Sequence, residues 1–212
     1  MEKQTVVPLK QMAETKASGF RRTLGYYLTQ LPVQLLAKTS VTPNAVSWFG
    51  VLLTLAAAVL IITGQLFVAG IMVLVAGFFD MLDGALARST NRVSKFGAIL
   101  DSTLDRFSEA VLLLSLLAVY AAQQSMLGIW AVGLALLGSY LVSYIRARAE
   151  GMGIDCEVGI FARPERVVAL ALGLLLAPIN SAFLTAALGV IIVFSFIAAG
   201  QRLYHAWIET KK

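Results

Sequence analysis

Charged residues are scarce in this chain of 212 residues: Asp, Glu, Lys and Arg make up 14% of it, against about 25% in ordinary soluble domains. Hydrophobic residues make up 58%, and the mean hydropathy is +0.80. That balance excludes a soluble globular domain. It points to a polytopic membrane protein with room for one domain of several spans and none for a sizeable soluble module. Cysteine occurs once, at Cys156, which excludes an internal disulfide and reads as an incidental thiol. Histidine also occurs once, at His205. With Tyr204 and Trp207 it reads as an interfacial residue rather than a catalytic one. The opening residues, MEKQTVVPLKQMAETK, place no apolar core behind their charges, so no cleaved signal peptide is expected. The formal net charge of +5 is explained by orientation in a membrane, without nucleic acid as a partner.

What is abundant is long apolar runs. Six follow one another, roughly Val46–Thr63, Leu66–Ala87, Phe96–Ala121, Leu127–Arg146, Val167–Ala177 and Ala182–Tyr204. The fifth is short, and reaches spanning length only if its helix starts near Pro164. Thr42 reads as an N-cap with Pro43 in the first turn, and Gly151 and Gly153 end the fourth run. Ahead of the runs, Phe20, Leu24, Tyr27, Leu28 and Leu31 recur at helical spacing between Gln11 and Leu31, with Lys16, Arg21 and Arg22 on other faces. That segment is expected to be an amphipathic helix, lying in the membrane surface or packed on the protein, with Pro32 interrupting it. The expected fold is therefore all-α and integral to the membrane: a six-transmembrane-helix bundle (41–208) after an N-terminal amphipathic juxtamembrane segment (1–40).

The connectors after the first, third and fifth runs hold no charge. All 17 Lys and Arg, and all 12 acids, fall on the other side. The positive-inside rule then makes both termini cytoplasmic, in a cell membrane crossed several times.

One polar stretch stands inside this apolar chain: FDMLDGALARSTNRVSKFGAILDSTLDRFSE, from Phe79 to Glu109. Asp80 and Asp83 are three apart and Asp101 and Asp105 four apart, so on helices each pair shares a face. Two facing helices would bring four carboxylates into one small volume. Unneutralised, they would repel and would be costly to desolvate, so the arrangement makes sense only around cations. An all-oxygen shell suits hard divalent ions such as Mg2+ or Mn2+. Counting from the uncharged helix ends at about 1.5 Å per residue places Asp80 about 21 Å and Asp105 about 24 Å along, near the inner edge of a core about 30 Å thick. Gly84, Ala87 and Gly97 let a bulky ligand approach the backbone, and Arg88 offers a fork to phosphate oxygens. A cation carrier would instead spread ionisable groups through the membrane depth, and the outer halves have none.

The pattern D-x-x-D-G-x-x-A-R, eight residues, then G-x-x-x-D-x-x-x-D resembles the signature of the CDP-alcohol phosphatidyltransferases at every fixed position and spacing. Those membrane enzymes displace CMP from a CDP-linked lipid with an alcohol. The resemblance implies metal ligation by Asp80, Asp83 and Asp101, with Asp105 as general base and further ligand to a pair of Mg2+ or Mn2+ ions. It places Gly84, Ala87, Arg88 and Gly97, with Asp80, Pro43 and Asn44, on the CDP-lipid side, and it implies a homodimer.

A second stretch, S-Y-x-R-A-R-A-E-G-x-G followed by R-P-E-R, resembles the subgroup that makes phosphatidylinositol phosphate, or its archaeal ether-lipid counterpart, from inositol 1-phosphate. The charges agree. A phosphorylated acceptor calls for arginines, and Arg146, Arg148, Arg163, Arg166 and Arg202 are the candidates. Glycerol 3-phosphate is phosphorylated too, so charge does not separate the two acceptors. The expected donor is CDP-diacylglycerol or an ether-lipid analogue.

Overall fold

A computed structural model describes residues 31–37 and 39–211. After a helical stretch at residues 31–36, six helices follow: α1 (Pro43–Ile62), α2 (Leu66–Ser89), α3 (Lys95–Ala122), α4 (Met126–Glu150), α5 (Arg163–Leu176) and α6 (Ala182–Glu209). No strand occurs among the described residues.

The helix starts follow local chemistry. Thr42 Oγ1 accepts from the Ala45 amide at 3.3 Å and Pro43 opens α1, satisfying a donor that the first turn would leave unpaired. Ser94 caps α3 in the same way through the Gly97 amide, at 2.9 Å. On α5, Pro164 stands in the first turn and the Glu165 carboxylate accepts from the Ala162 amide at 2.9 Å. The expected helix from Gln11 to Leu31 lies outside the described residues, apart from Leu31 itself. Residues 31–36 are helical and include Pro32.

Four helices, α1, α2, α4 and α6, are long and apolar enough to cross a bilayer. The other two fall short for different reasons. The first fifteen residues of α3 carry Lys95, Asp101, Asp105, Arg106 and Glu109. Helix α5 does begin where its proline suggested, yet it has only 14 residues. That is about 21 Å, less than a hydrocarbon core of about 30 Å. It stops because Pro178 follows, and proline cannot carry a helix on.

Helix α1 packs on α2 and α3, α2 on α5, α3 on α4, and α6 on both α4 and α5. Ile61, Val73, Leu116, Val132, Leu174 and Leu188 are fully buried where these faces meet. Gly70 lets α2 touch α5: a Cβ there would lie 2.9 Å from the Ala171 carbonyl oxygen. The outer surface is apolar, with Leu52, Val59, Trp130, Leu137 and Val193 exposed, as for a face solvated by lipid. At one end of the bundle the C-terminal part of α2, the N-terminal half of α3 and the first turn of α5 converge.

Candidate active site

Helix α2 supplies Asp80 and Asp83, and α3 supplies Asp101 and Asp105. Asp80, Asp101 and Asp105 each place a carboxylate oxygen within 4.8 Å of the others. Arg163, the first residue of α5, reaches into this group. Its Nη1 lies 2.5 Å from Asp80 Oδ2 and 2.6 Å from Asp105 Oδ1. Three carboxylates against one guanidinium leave two negative charges uncompensated, which matches one divalent cation, and every donor is a hard oxygen. The residues present thus fit such an ion.

Asp83 stands one turn along α2 and is only 4% exposed. Its Oδ2 accepts from Ser47 Oγ at 2.5 Å, so α1 holds this carboxylate from the far side. One turn beyond Asp105, Glu109 makes a bidentate pair with Arg166: Nε to Oε1 at 2.6 Å and Nη2 to Oε2 at 2.9 Å. Both are buried, and Arg166 Nη1 has no hydrogen-bond partner among the described residues. Ser47, Asp80, Asp101, Glu109, Arg163 and Arg166 line a cleft whose floor is apolar, formed by residues such as Val73, Leu113 and Ile191. A charged mouth over an apolar floor can hold a phosphate against a lipid-like body.

The smaller motif residues stand toward the ends of the same helices, at the start of α1, the end of α2 and the start of α3. Asn44 and Gly97 are neighbours: a Cβ on Gly97 would lie 3.8 Å from Asn44 Oδ1. Pro43 is half-buried beside them. Arg88 is exposed and turns back over Gly84, where a Cβ would meet its Nη1 at 3.4 Å. Ala87 is half-buried between them in the chain.

The pattern of one family matches residues 40–207, that of the CDP-alcohol phosphatidyltransferases. The chain belongs to the CDP-alcohol phosphatidyltransferase family. Among relatives of this transferase, the archaetidylinositol phosphate synthase of Pyrococcus horikoshii is 40% identical over 175 residues, covering 81% of this chain and 86% of its own. The crystal structure of Mycobacterium tuberculosis phosphatidylinositol phosphate synthase with CDP-DAG bound matches with a TM-score of 0.77 at 31% identity, over 84% of this chain and 93% of that one. The same enzyme in complex with manganese and citrate matches at a TM-score of 0.77 and 32% identity, over 85% and 88%.

In this family member the arginines expected to meet an acceptor phosphate are divided. Arg163 and Arg166 line the cleft. Arg146 is engaged by Glu150 at 2.7 Å and Glu157 at 3.6 Å. Arg148 is exposed. Arg202 is 5% exposed and donates to main-chain carbonyls, Nη1 to Val142 at 2.7 Å and Nε to Val158 at 2.9 Å. Sequence reasoning gave no role to Glu109 or Ser47. Glu109 had a signal: it stands four residues after Asp105, on the same helical face, inside an apolar run. Ser47 had only a hydroxyl one turn into α1.

Proposed function

We propose that this transferase moves the phosphatidyl group of a CDP-lipid, CDP-diacylglycerol or an ether analogue, to inositol 1-phosphate, releasing CMP. The observation that carries the reading is the convergence of Asp80, Asp101 and Asp105 beside Arg163 at the mouth of an apolar-floored cleft. The named activities of the relatives support the choice of acceptor.

In this reading Asp80, Asp83, Asp101 and Asp105 hold two divalent cations, Mg2+ or Mn2+. Such ions neutralise the diphosphate and polarise the phosphorus under attack. Asp105 takes the proton of the acceptor hydroxyl as its oxygen bonds to phosphorus and the bond to CMP breaks. Arg163 holds that carboxylate in place through its ion pair. Pro43, Asn44, Gly84, Ala87, Arg88 and Gly97 form the nucleotide side. The unpartnered nitrogen of Arg166 meets the acceptor phosphate, with Arg163, Arg146, Arg148 and Arg202 adding positive potential around it. The same reading divides the chain into residues 1–40 and 41–208, gives the bundle six spans, and turns the carboxylate end toward the cytoplasm, where the basic residues lie. It includes a homodimer. Gly138 is used inside the chain, against Ser195, and Ser139 is buried, whereas Gly133 opens onto free space on the outer face and permits a close helix contact with a second copy.

The test is CMP release by purified protein with CDP-diacylglycerol, Mg2+ and one acceptor at a time: inositol 1-phosphate, glycerol 3-phosphate, free inositol or serine. Inositol 1-phosphate is expected to give the fastest release, and a chelator to stop it. Silence with every acceptor would overturn the reaction, and preference for glycerol 3-phosphate would overturn the acceptor.

A further inference from the structure

Residues 151–162 connect α4 to α5 without regular structure beyond a turn at 151–153. Main-chain groups in such a segment need partners from elsewhere, and here they come from little more than one turn of α6. Gln201 Oε1 accepts from the Ile160 amide at 3.2 Å, Arg202 Nε donates to the Val158 carbonyl at 2.9 Å, and His205 Nε2 lies 3.0 Å from the Asp155 carbonyl. With a carbonyl opposite, that ring nitrogen carries its proton and donates. The backbone closes on α6 because Gly159 allows it. Its φ is +123°, a region suited to glycine, and a Cβ would sit 3.4 Å from Arg202 Nε and 3.7 Å from Ala198 Cβ. Between these anchor points Cys156 is completely buried.

Three residues past Ile160 the chain reaches Arg163, which bridges Asp80 and Asp105, and then Arg166. We propose that Gln201 and His205, together with Arg202, are positioning residues: they strap the α4–α5 connection to α6 and thereby set where Arg163 and Arg166 stand on the acceptor side of the cleft. Helix α6 gives no carboxylate to the cluster; apart from Ile191 in the floor of the cleft and its packing on α5, it reaches the site through this connection. The CDP-lipid side is built from α1, α2 and α3, and the strap meets the carboxylate cluster through Arg163 alone. The kinetic consequence rests on the function proposed above.

The lone cysteine is a native reporter. Burial pushes the Cys156 thiol above its usual range, against a downward pull from Arg202, so in the intact protein it reacts slowly with a maleimide. In the variant Gln201→Ala/His205→Ala, two hydrogen bonds are lost, each worth a few-fold in a local opening equilibrium, and labelling of Cys156 is expected to speed up about tenfold. The KM for inositol 1-phosphate is expected to rise about fivefold, while the KM for CDP-diacylglycerol stays within about twofold. His205→Gln, which keeps a donor, restores both readouts. Gln201→Ala alone gives a milder version should the double variant fold poorly. Unchanged labelling overturns the strap. Faster labelling with an unchanged acceptor KM, or with equal shifts for both substrates, overturns its positioning role. Labelling does not require turnover, so a protein inactive with every acceptor overturns the proposed function without touching the strap.

Discussion

Replacing Glu109 by alanine is the most informative single change in this structure. Glu109 and Arg166 are 7% and 2% exposed and share two hydrogen bonds, at 2.6 and 2.9 Å. Arg166 Nη1 is already without a partner among the described residues, so Glu109→Ala strands a whole guanidinium inside the bundle. Breaking one side of a buried ion pair costs about 3–5 kcal/mol, a large part of a total stability of about 5–15 kcal/mol. The pair as a unit is worth far less, because both charges had to be desolvated to form it. Glu109→Leu/Arg166→Leu is therefore expected to recover to within about 1–2 kcal/mol of the parent, while losing use of the phosphorylated acceptor. Unfolding in mixed detergent, followed by the fluorescence of Trp48, Trp130 and Trp207, measures both. A loss below about 1 kcal/mol for Glu109→Ala, with the double variant no better than the single, would refute the reasoning: the pair would then behave as one in water.

Asp105→Asn removes the proposed base and is expected to slow CMP release by about 10²- to 10⁴-fold; near-normal turnover on chromatographic CMP analysis would reject that role. Ser47→Ala deprives the buried Asp83 carboxylate of its hydrogen bond, worth about 1.5–3 kcal/mol to a charged group. Mn2+ binding, followed by electron paramagnetic resonance, is expected to weaken about tenfold and to return in Ser47→Thr, whereas unaltered binding would remove Asp83 from the cation site. Gly70→Leu forces a side chain onto the α5 backbone at Ala171 and is expected to cost about 1–3 kcal/mol in the same unfolding assay. Gly189→Leu, which meets nothing within 4 Å, is the control that should not.

The helix limits were legible where local chemistry sets them. Thr42 with Pro43, and Pro164, mark the starts of α1 and α5 within a residue or two, because caps and prolines act over one turn. The shortness of α5 was written at its far end, in Pro178, and was less visible amid apolar residues that suit a core helix as well as a span. The spacing of the aspartates announced a cation site, and the structure brings three of the four together. It could not announce Ser47, since a hydroxyl four residues inside an apolar helix serves its own backbone as readily as a partner on α2. The arginines were the least legible. A guanidinium satisfies a carboxylate, a main-chain carbonyl or a ligand phosphate equally well, and only the fold reveals that Arg202 has chosen carbonyls and Arg166 a glutamate.

The long reach of the ion pairs bears on how the protein is made. Arg163 lies 83 residues after Asp80, and Arg166 lies 57 after Glu109. During synthesis, α2 and α3 enter the bilayer with their acids well before the cations that answer them have left the ribosome. The half-made bundle therefore carries an electrostatic debt until α5 arrives, and chains stalled after α4 should be the ones that membrane proteases recognise.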